Sequence, residues 1–265
     1  MQTLQNTSNI FQRFWAALIF LTRLPFWRLY QPPKSAYESV VEFWPLTGWL
    51  TAGISAALIY LISPYSIFWT PIAVIVVRVL ITGALHEDGL ADFFDGMGAG
   101  GSRERILSIM KDSHIGTYGV IALILYFLTL FLSLFQLNTV DPMICALTVL
   151  MADPFAKMLA SQTIILMPYA RKEDESKAHN IYRRPKFLPY IFLILQGLIP
   201  LGLFIWKTEI PLTSLLFLIL IPVVLCAFLN ALIYRKIKGY TGDCNGALFL
   251  LTELSIYITA TFILL

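Results

Sequence analysis

Asp88, Asp92 and Asp95 lie four and three residues apart within HEDGLADFFDG, residues 86–96. On a helix that spacing confines them to about 60° of arc, so three carboxylates share one face. Three acids held together repel one another unless a cation sits between them. Hard oxygen donors suit Mg²⁺, which usually takes one or two carboxylates together with substrate phosphates. Gly89, Ala91, Gly96 and Gly98 lace the cluster with small residues that let a bulky ligand approach. A solvated Asp-rich loop is the bland alternative. A cation pore fits less well, because the acids gather at one end of an apolar segment rather than along it.

Two further stretches carry compatible chemistry. Residues 100–119, GGSRERILSIMKDSHIGTYG, combine glycines with Arg103, Arg105 and Lys111, a composition suited to phosphate-rich ligands. Asp112 and Ser113 either cap the helix that follows or take part in the site. Residues 239–247, GYTGDCNGA, place Asp243 and Asn245 at the mouth of another apolar segment. Glu253 falls about two turns deeper, roughly 10 Å along the axis, and a buried acid at such a depth is a functional candidate. His86 is a ligand, a base or a span-end residue. Arg78 either snorkels or holds an anion, and Asp153 with Lys157 reads as a self-neutralising i, i+4 pair.

The elements that must position these residues are membrane helices. The 265-residue chain is 58% hydrophobic and 13% charged, with mean hydropathy +0.74, whereas soluble domains carry roughly 25% charged residues. No polar stretch is long enough for a separate soluble domain, so residues 1–265 read as a single membrane-embedded domain. Seven segments are long and apolar enough to span: Trp44–Ile62, Ser66–Gly83, Thr117–Phe135, Met143–Met167, Phe187–Trp206, Pro211–Tyr234 and Ala247–Leu265. Phe11–Leu21 is too short and reads as an interfacial or re-entrant helix. The fold class is therefore all-α, a polytopic bundle of about seven transmembrane helices plus that N-terminal helix. Pro71, Pro154, Pro200 and Pro222 fall inside spans. Cys145, Cys226 and Cys244 are scattered and form no disulfide or metal pattern. The N-terminus does not read as a cleavable signal, because its apolar run is short and Arg23 follows closely.

Sixteen of the nineteen Lys and Arg lie in four polar segments: before the first span, and after the second, fourth and sixth. The positive-inside rule puts these segments in the cytoplasm and the C-terminus outside. From the residues alone, the expected chemistry is Mg²⁺-assisted phosphoryl transfer to an alcohol at the cytoplasmic face. Asp92→Asn is then expected to abolish turnover in a folded protein.

The chain also resembles the cobalamin synthase family, adenosylcobinamide-GDP ribazoletransferase. The resemblance rests on FLTRLPF at 20–26, FWPLTGW at 43–49, GALHEDGLADFFDG at 83–96, RERILSIMKDSHIGTYG at 103–119, MPYAR at 167–171 and TGDCNGALFLLTE at 241–253. It implies the last step of nucleotide-loop assembly. The 3′-hydroxyl of α-ribazole, or of its 5′-phosphate, attacks the cobinamide-side phosphorus of adenosylcobinamide-GDP, and GMP leaves. It implies Mg²⁺, the bacterial inner membrane and no nucleic-acid partner, and leaves open a homo-oligomer or association with other enzymes of the pathway. Position by position, Asp88, Asp92 and Asp95 match the acidic motif. Asp112 and Ser113 match an Asp-Ser pair, Asp243, Gly246 and Glu253 the late motif, and Arg23 and Arg171 two basic positions. Asp88, Asp92, Asp95, Asp243 and Glu253 are the expected metal set. Arg23, Arg103, Arg105, Lys111, Ser113, Arg171 and Asn245 are expected on substrate. Asp112, His86 and a metal-bound hydroxyl stay open as the base. His114, Leu250 and Lys157 depart from an expected arginine, glutamate and arginine, and KEDESKA at 172–178 lacks the expected glycines. A CDP-alcohol phosphotransferase is the nearest alternative, but the arginine expected soon after its first Asp-Gly pair is missing. A cation or nucleotide transporter would want a midplane path of ionisable residues and repeats.

Overall fold

The computed structural model describes residues 8–171 and 182–264. Lys172, Lys177 and the KEDESKA segment lie outside the described residues. Eleven α-helices follow one another among those described, joined by short turns. They are α1 (Ile10–Leu21), α2 (Lys34–Tyr37), α3 (Trp44–Ile62), α4 (Trp69–Thr82), α5 (Leu85–Ala99), α6 (Arg103–Lys111), α7 (Thr117–Val140), α8 (Pro142–Leu166), α9 (Phe187–Lys207), α10 (Leu212–Ile237) and α11 (Gly242–Ile263). Six of these elements, counting α3 with the 3₁₀ turn before it, are long and apolar enough to cross a membrane. The bent α4–α5 pair makes a seventh if it counts as one span. The chain is thus the polytopic helical bundle that hydropathy indicates.

Helix α1 has the expected shortness. Asn9 caps it, and Gln12 answers from the third position, each side chain accepting from the other's backbone N–H at 2.8 and 3.0 Å. The centre of the bundle is α8 and α11. Each is 72% buried along its apolar window, against 28–39% for the other spans, so these two form the core and the rest show one side to lipid. Helix α3 crosses α8 where Gly48 rests against Pro154, with space for a Cβ only 3.1 Å from the proline Cα. Small residues at such crossings let backbones approach, and polar side chains lock them. Gln196 of α9 accepts from Leu46 N–H at 3.0 Å, while Trp49 Nε1 donates to the Gln196 carbonyl at 2.8 Å.

The second predicted span differs from expectation. Only 14 residues of it are straight helix, and the chain then turns by 89° into α5. Gly83 and Ala84 make the turn by both adopting left-handed conformations, φ 65° and 57°. Arg23 straps the bend. Its N–H donates to the Ile81 carbonyl at 2.6 Å, and its Nε lies 2.5 Å from where a Gly83 Cβ would be. The HEDG motif is therefore the first turn of a helix lying across the end of the bundle. Gly83→Val should destabilise the protein by at least about 1–3 kcal/mol from backbone strain alone, with further loss from collision with Arg23. Ala84→Gly should be near neutral, because the strain relieved offsets the added unfolded-state entropy. Thermal unfolding of both variants in detergent checks this.

Three connecting segments meet at the same end. Arg103 Nε donates to the Ile237 carbonyl at 2.8 Å and Arg103 Nη2 to the Ala170 carbonyl at 2.5 Å. Tyr240 bridges Tyr169 in parallel through two backbone hydrogen bonds, Ala170 N–H to Tyr240 O at 2.8 Å and Tyr240 N–H to Pro168 O at 3.0 Å. A second clasp joins the segment before α3 to the one before α9: Arg183 Nε meets Glu38 Oε2 at 2.6 Å, and Arg183 N–H donates to the Glu38 carbonyl at 2.6 Å.

Candidate active site

Helices α5 and α11 touch through backbone. A Cβ on Gly89 would lie 3.1 Å from Asp243 Cα, and one on Gly246 would lie 3.2 Å from the His86 carbonyl. Any larger side chain at either glycine would force the helices apart. This contact sets the first turn of α5 beside the first turn of α11, and Asp88 and Asp243 come to border one cavity of about 270 Å³. Thr241 caps α11, its Oγ accepting from Cys244 N–H at 3.2 Å. The capped N-terminus presents positive dipole to the same space.

The polar wall of the cavity contains His86, Asp88, Asp243, Asn245, Arg171 and Lys157. Arg171 Nη2 lies 3.6 Å from Asp243 Oδ2 and donates to the Leu107 carbonyl at 3.2 Å. Lys157 pairs with Asp153, and its Nζ sits 4.4 Å from the Phe249 ring centroid. Thr51 Oγ donates to the other Asp153 oxygen at 2.5 Å. The His86 ring packs edge-on against Phe249, centroids 4.7 Å apart. Asn245 is 5% exposed, yet neither its Nδ2 nor its Oδ1 has a hydrogen-bond partner; nor has Arg171 Nε. Burying such groups unsatisfied costs about 1–3 kcal/mol each, which leaves them available to a polar ligand. Trp44, Tyr169 and Tyr182 form the aromatic wall. Burial, and then Tyr240, Tyr169 and Asp243, hold the Tyr182 phenol above its ordinary range, so it stays protonated.

The predicted site residues thus divide. His86, Asp88, Arg171, Asp243 and Asn245 converge on the cavity. Asp92 lies one turn beyond Asp88 on α5, half-buried and outside the lining. Asp95 serves as the cap of α7 from across space, accepting from Gly116 N–H at 2.7 Å and Gly119 N–H at 2.8 Å, one bond to each oxygen. That explains the two glycines opening α7: a Cβ on either would strike the carboxylate. Glu253 is held by Arg78 in a two-pronged ion pair and accepts from Tyr257 Oη at 2.9 Å. Arg103 is the clasp described above, and Arg23 is the strap over the bend. Arg105, Lys111, Asp112 and Ser113 are exposed on α6 and the turn after it, away from the cavity. The His114 amide and ring, 3.0 and 2.7 Å from Asp112 Oδ1, hold that carboxyl below its ordinary range, which weakens it as a base. Among the described residues, no three His, Cys, Asp or Glu converge as a ready metal cage.

Sequence reasoning missed the place of Lys157 and the aromatic wall. Lys157 does form the i, i+4 pair, but it also faces the cavity. Trp44 stood in the FWPLTGW motif and Tyr169 in MPYAR; both carried a signal, though not one that spacing could convert into position.

Comparison with known proteins gives the family. The family profile described as cobalamin-5-phosphate synthase matches residues 13–261. A relative from Leptospira interrogans is 33% identical and covers 98% of each chain. One from Pseudoalteromonas atlantica is 33% identical over 91% of this chain and 88% of its own, and one from Shewanella oneidensis is 31% identical over 92% and 91%. All three are named adenosylcobinamide-GDP ribazoletransferase. No solved structure matches the chain. With a family profile spanning nearly all of its length and relatives above 30% identity along it, this transmembrane chain belongs to the cobalamin-5-phosphate synthase family of transferases.

Proposed function

We propose that the chain is an adenosylcobinamide-GDP ribazoletransferase whose reaction takes place in the α5–α11 cavity. The observation that carries this reading is the wall in which Asp88, Asp243, Asn245, Arg171 and Lys157 face one space. Two cationic groups and a helix N-terminus suit a diphosphate. At about 270 Å³ the cavity takes the reacting end of the substrates, leaving most of a corrinoid outside.

The oxygen donors present fit Mg²⁺. Asp88, Asp243 and Asn245 Oδ1 would hold it jointly with substrate phosphate, consistent with the lack of a complete protein cage. When bound, the ion supplies neutralisation of the phosphate oxygens and of charge building on the leaving group. Arg171 and Lys157 bind and orient the diphosphate. The tyrosines and Trp44 form a surface on which a flat base can stack. The 3′-hydroxyl of α-ribazole adds to the cobinamide-side phosphorus, and the bond to the GMP phosphate breaks with its electron pair leaving on GMP. The hydroxyl proton passes to His86, the acceptor in the cavity wall that is not assigned to the ion, and phosphoryl transfer depends more on positioning than on base strength.

The cavity lies at the end of the bundle where Arg103, Ala170 and Ile237 meet. The charge pattern supports assigning that end to the cytoplasmic face of a bacterial inner membrane. Purified protein in vesicles should release GMP from adenosylcobinamide-GDP when α-ribazole is supplied with Mg²⁺, and lose that release when EDTA removes the ion. Absence of release from folded protein with Mg²⁺ present would overturn the assignment, and unchanged release in EDTA would overturn the metal.

A further inference from the structure

A second cavity, of about 580 Å³, shares no lining residue with the first. Tyr182 lines the first, and the next residue, Arg183, lines the second. Arg13, Arg183, Arg184 and Lys186 surround it, with the hydroxyls of Ser35 and Ser39. Two of these cations are engaged: Arg13 meets Glu42 at 2.6 Å and Arg183 meets Glu38 at 2.6 Å. Arg184 and Lys186 have no acidic partner among the described residues and are exposed, so the described lining, four cations against Glu42, is net positive. Directly after Lys186, the first residues of α9 are apolar and open: Phe187 is 77% and Leu188 74% exposed. Cations and hydroxyls above an exposed apolar surface are complementary to a phosphate ester that carries acyl chains.

We propose that this cavity binds the headgroup of an anionic phospholipid, with the phosphate against Arg184, Lys186 and the serines and the chains along the first turn of α9. A soluble phosphomonoester shares the phosphate but has nothing to place on Phe187 and Leu188. The site rests on geometry separate from the transferase reading, and uses no residue assigned to it.

The test uses purified full-length protein, delipidated in neutral detergent. Thermal unfolding and native mass spectrometry would be followed on adding dioleoyl phosphatidylglycerol, dioleoyl phosphatidylcholine or inorganic phosphate. Phosphatidylglycerol should raise the unfolding temperature and remain bound, while the other two leave it unchanged. Arg184→Gln with Lys186→Gln removes two cations. It should weaken phosphatidylglycerol binding about thirtyfold, about fivefold for each, with GMP release in neutral bilayers retained. An equal response to inorganic phosphate overturns the lipid assignment. Undiminished phosphatidylglycerol binding by the double variant overturns the site. Single substitutions at each residue serve if the double variant unfolds.

Discussion

Asp88→Asn should lower GMP release by at least about a thousandfold in a protein that still folds. Asp88 is exposed and lines the same cavity as Asp243, so the amide keeps the shape and removes the charge that a cation would need. Losing such a carboxylate should cost several kcal/mol of transition-state stabilisation, which is about three powers of ten in rate. Asp95→Asn is the informative control. Its carboxylate is committed to the Gly116 and Gly119 amides, so its first effect should be on stability, by about 0.5–2 kcal/mol as for a lost helix cap. Single-turnover assays beside thermal melts separate the two. Near-normal activity in Asp88→Asn would remove it from the reacting site, and an Asp95→Asn protein with wild-type stability and no activity would reverse the division.

Glu253→Gln carries the second large effect, and it falls on folding. The Arg78–Glu253 pair is almost fully buried, 6% and 1% exposed, and Tyr257 completes it. Removing one partner leaves a buried guanidinium uncompensated, a loss of about 3–5 kcal/mol. Replacing both, Arg78→Met with Glu253→Leu, leaves no buried charge, only the Tyr257 hydroxyl without its acceptor, and should recover most of that stability. The double variant also tests mechanism. If Glu253 binds metal, it folds and releases no GMP. If the pair is structural, release returns with folding, within about tenfold allowing for a disturbed Phe249, which Arg78 also faces at 5.5 Å. Unfolding in denaturant and GMP release on the same preparations decide it.

Much of this was readable from residue order, and what was not has definite causes. Span positions were readable because lipid admits only long apolar helices: α3 begins and ends at the predicted Trp44 and Ile62. The end of the second span at Gly83 was readable too, but the 89° turn into a further helix was not, because nothing in hydropathy gives the direction in which the chain continues. That bend matters to the site, since it points α5 across the bundle end. Spacing put Asp88, Asp92 and Asp95 on one face correctly, but could not say which neighbour each would meet. Asp95 met α7, and Asp88 faces the cavity that α11 also lines. Glu253 was identified as buried and significant, but its partner Arg78 lies 175 residues away in sequence, a distance no local pattern bridges. Arg103 looked like a phosphate ligand from composition. Its guanidinium instead satisfies two carbonyls where three segments meet.

The Glu38–Arg183 clasp has a topological meaning. Two residues in hydrogen-bond contact share one face of the bilayer, so the chain between them must traverse it an even number of times. Helices α3, α7 and α8 lie between, together with the bent pair. With the first three crossing, the count becomes even only if α4 and α5 together make one passage. Adding α9, α10 and α11 then gives seven passages between residue 38 and residue 264, an odd number that supports opposite sides for the two.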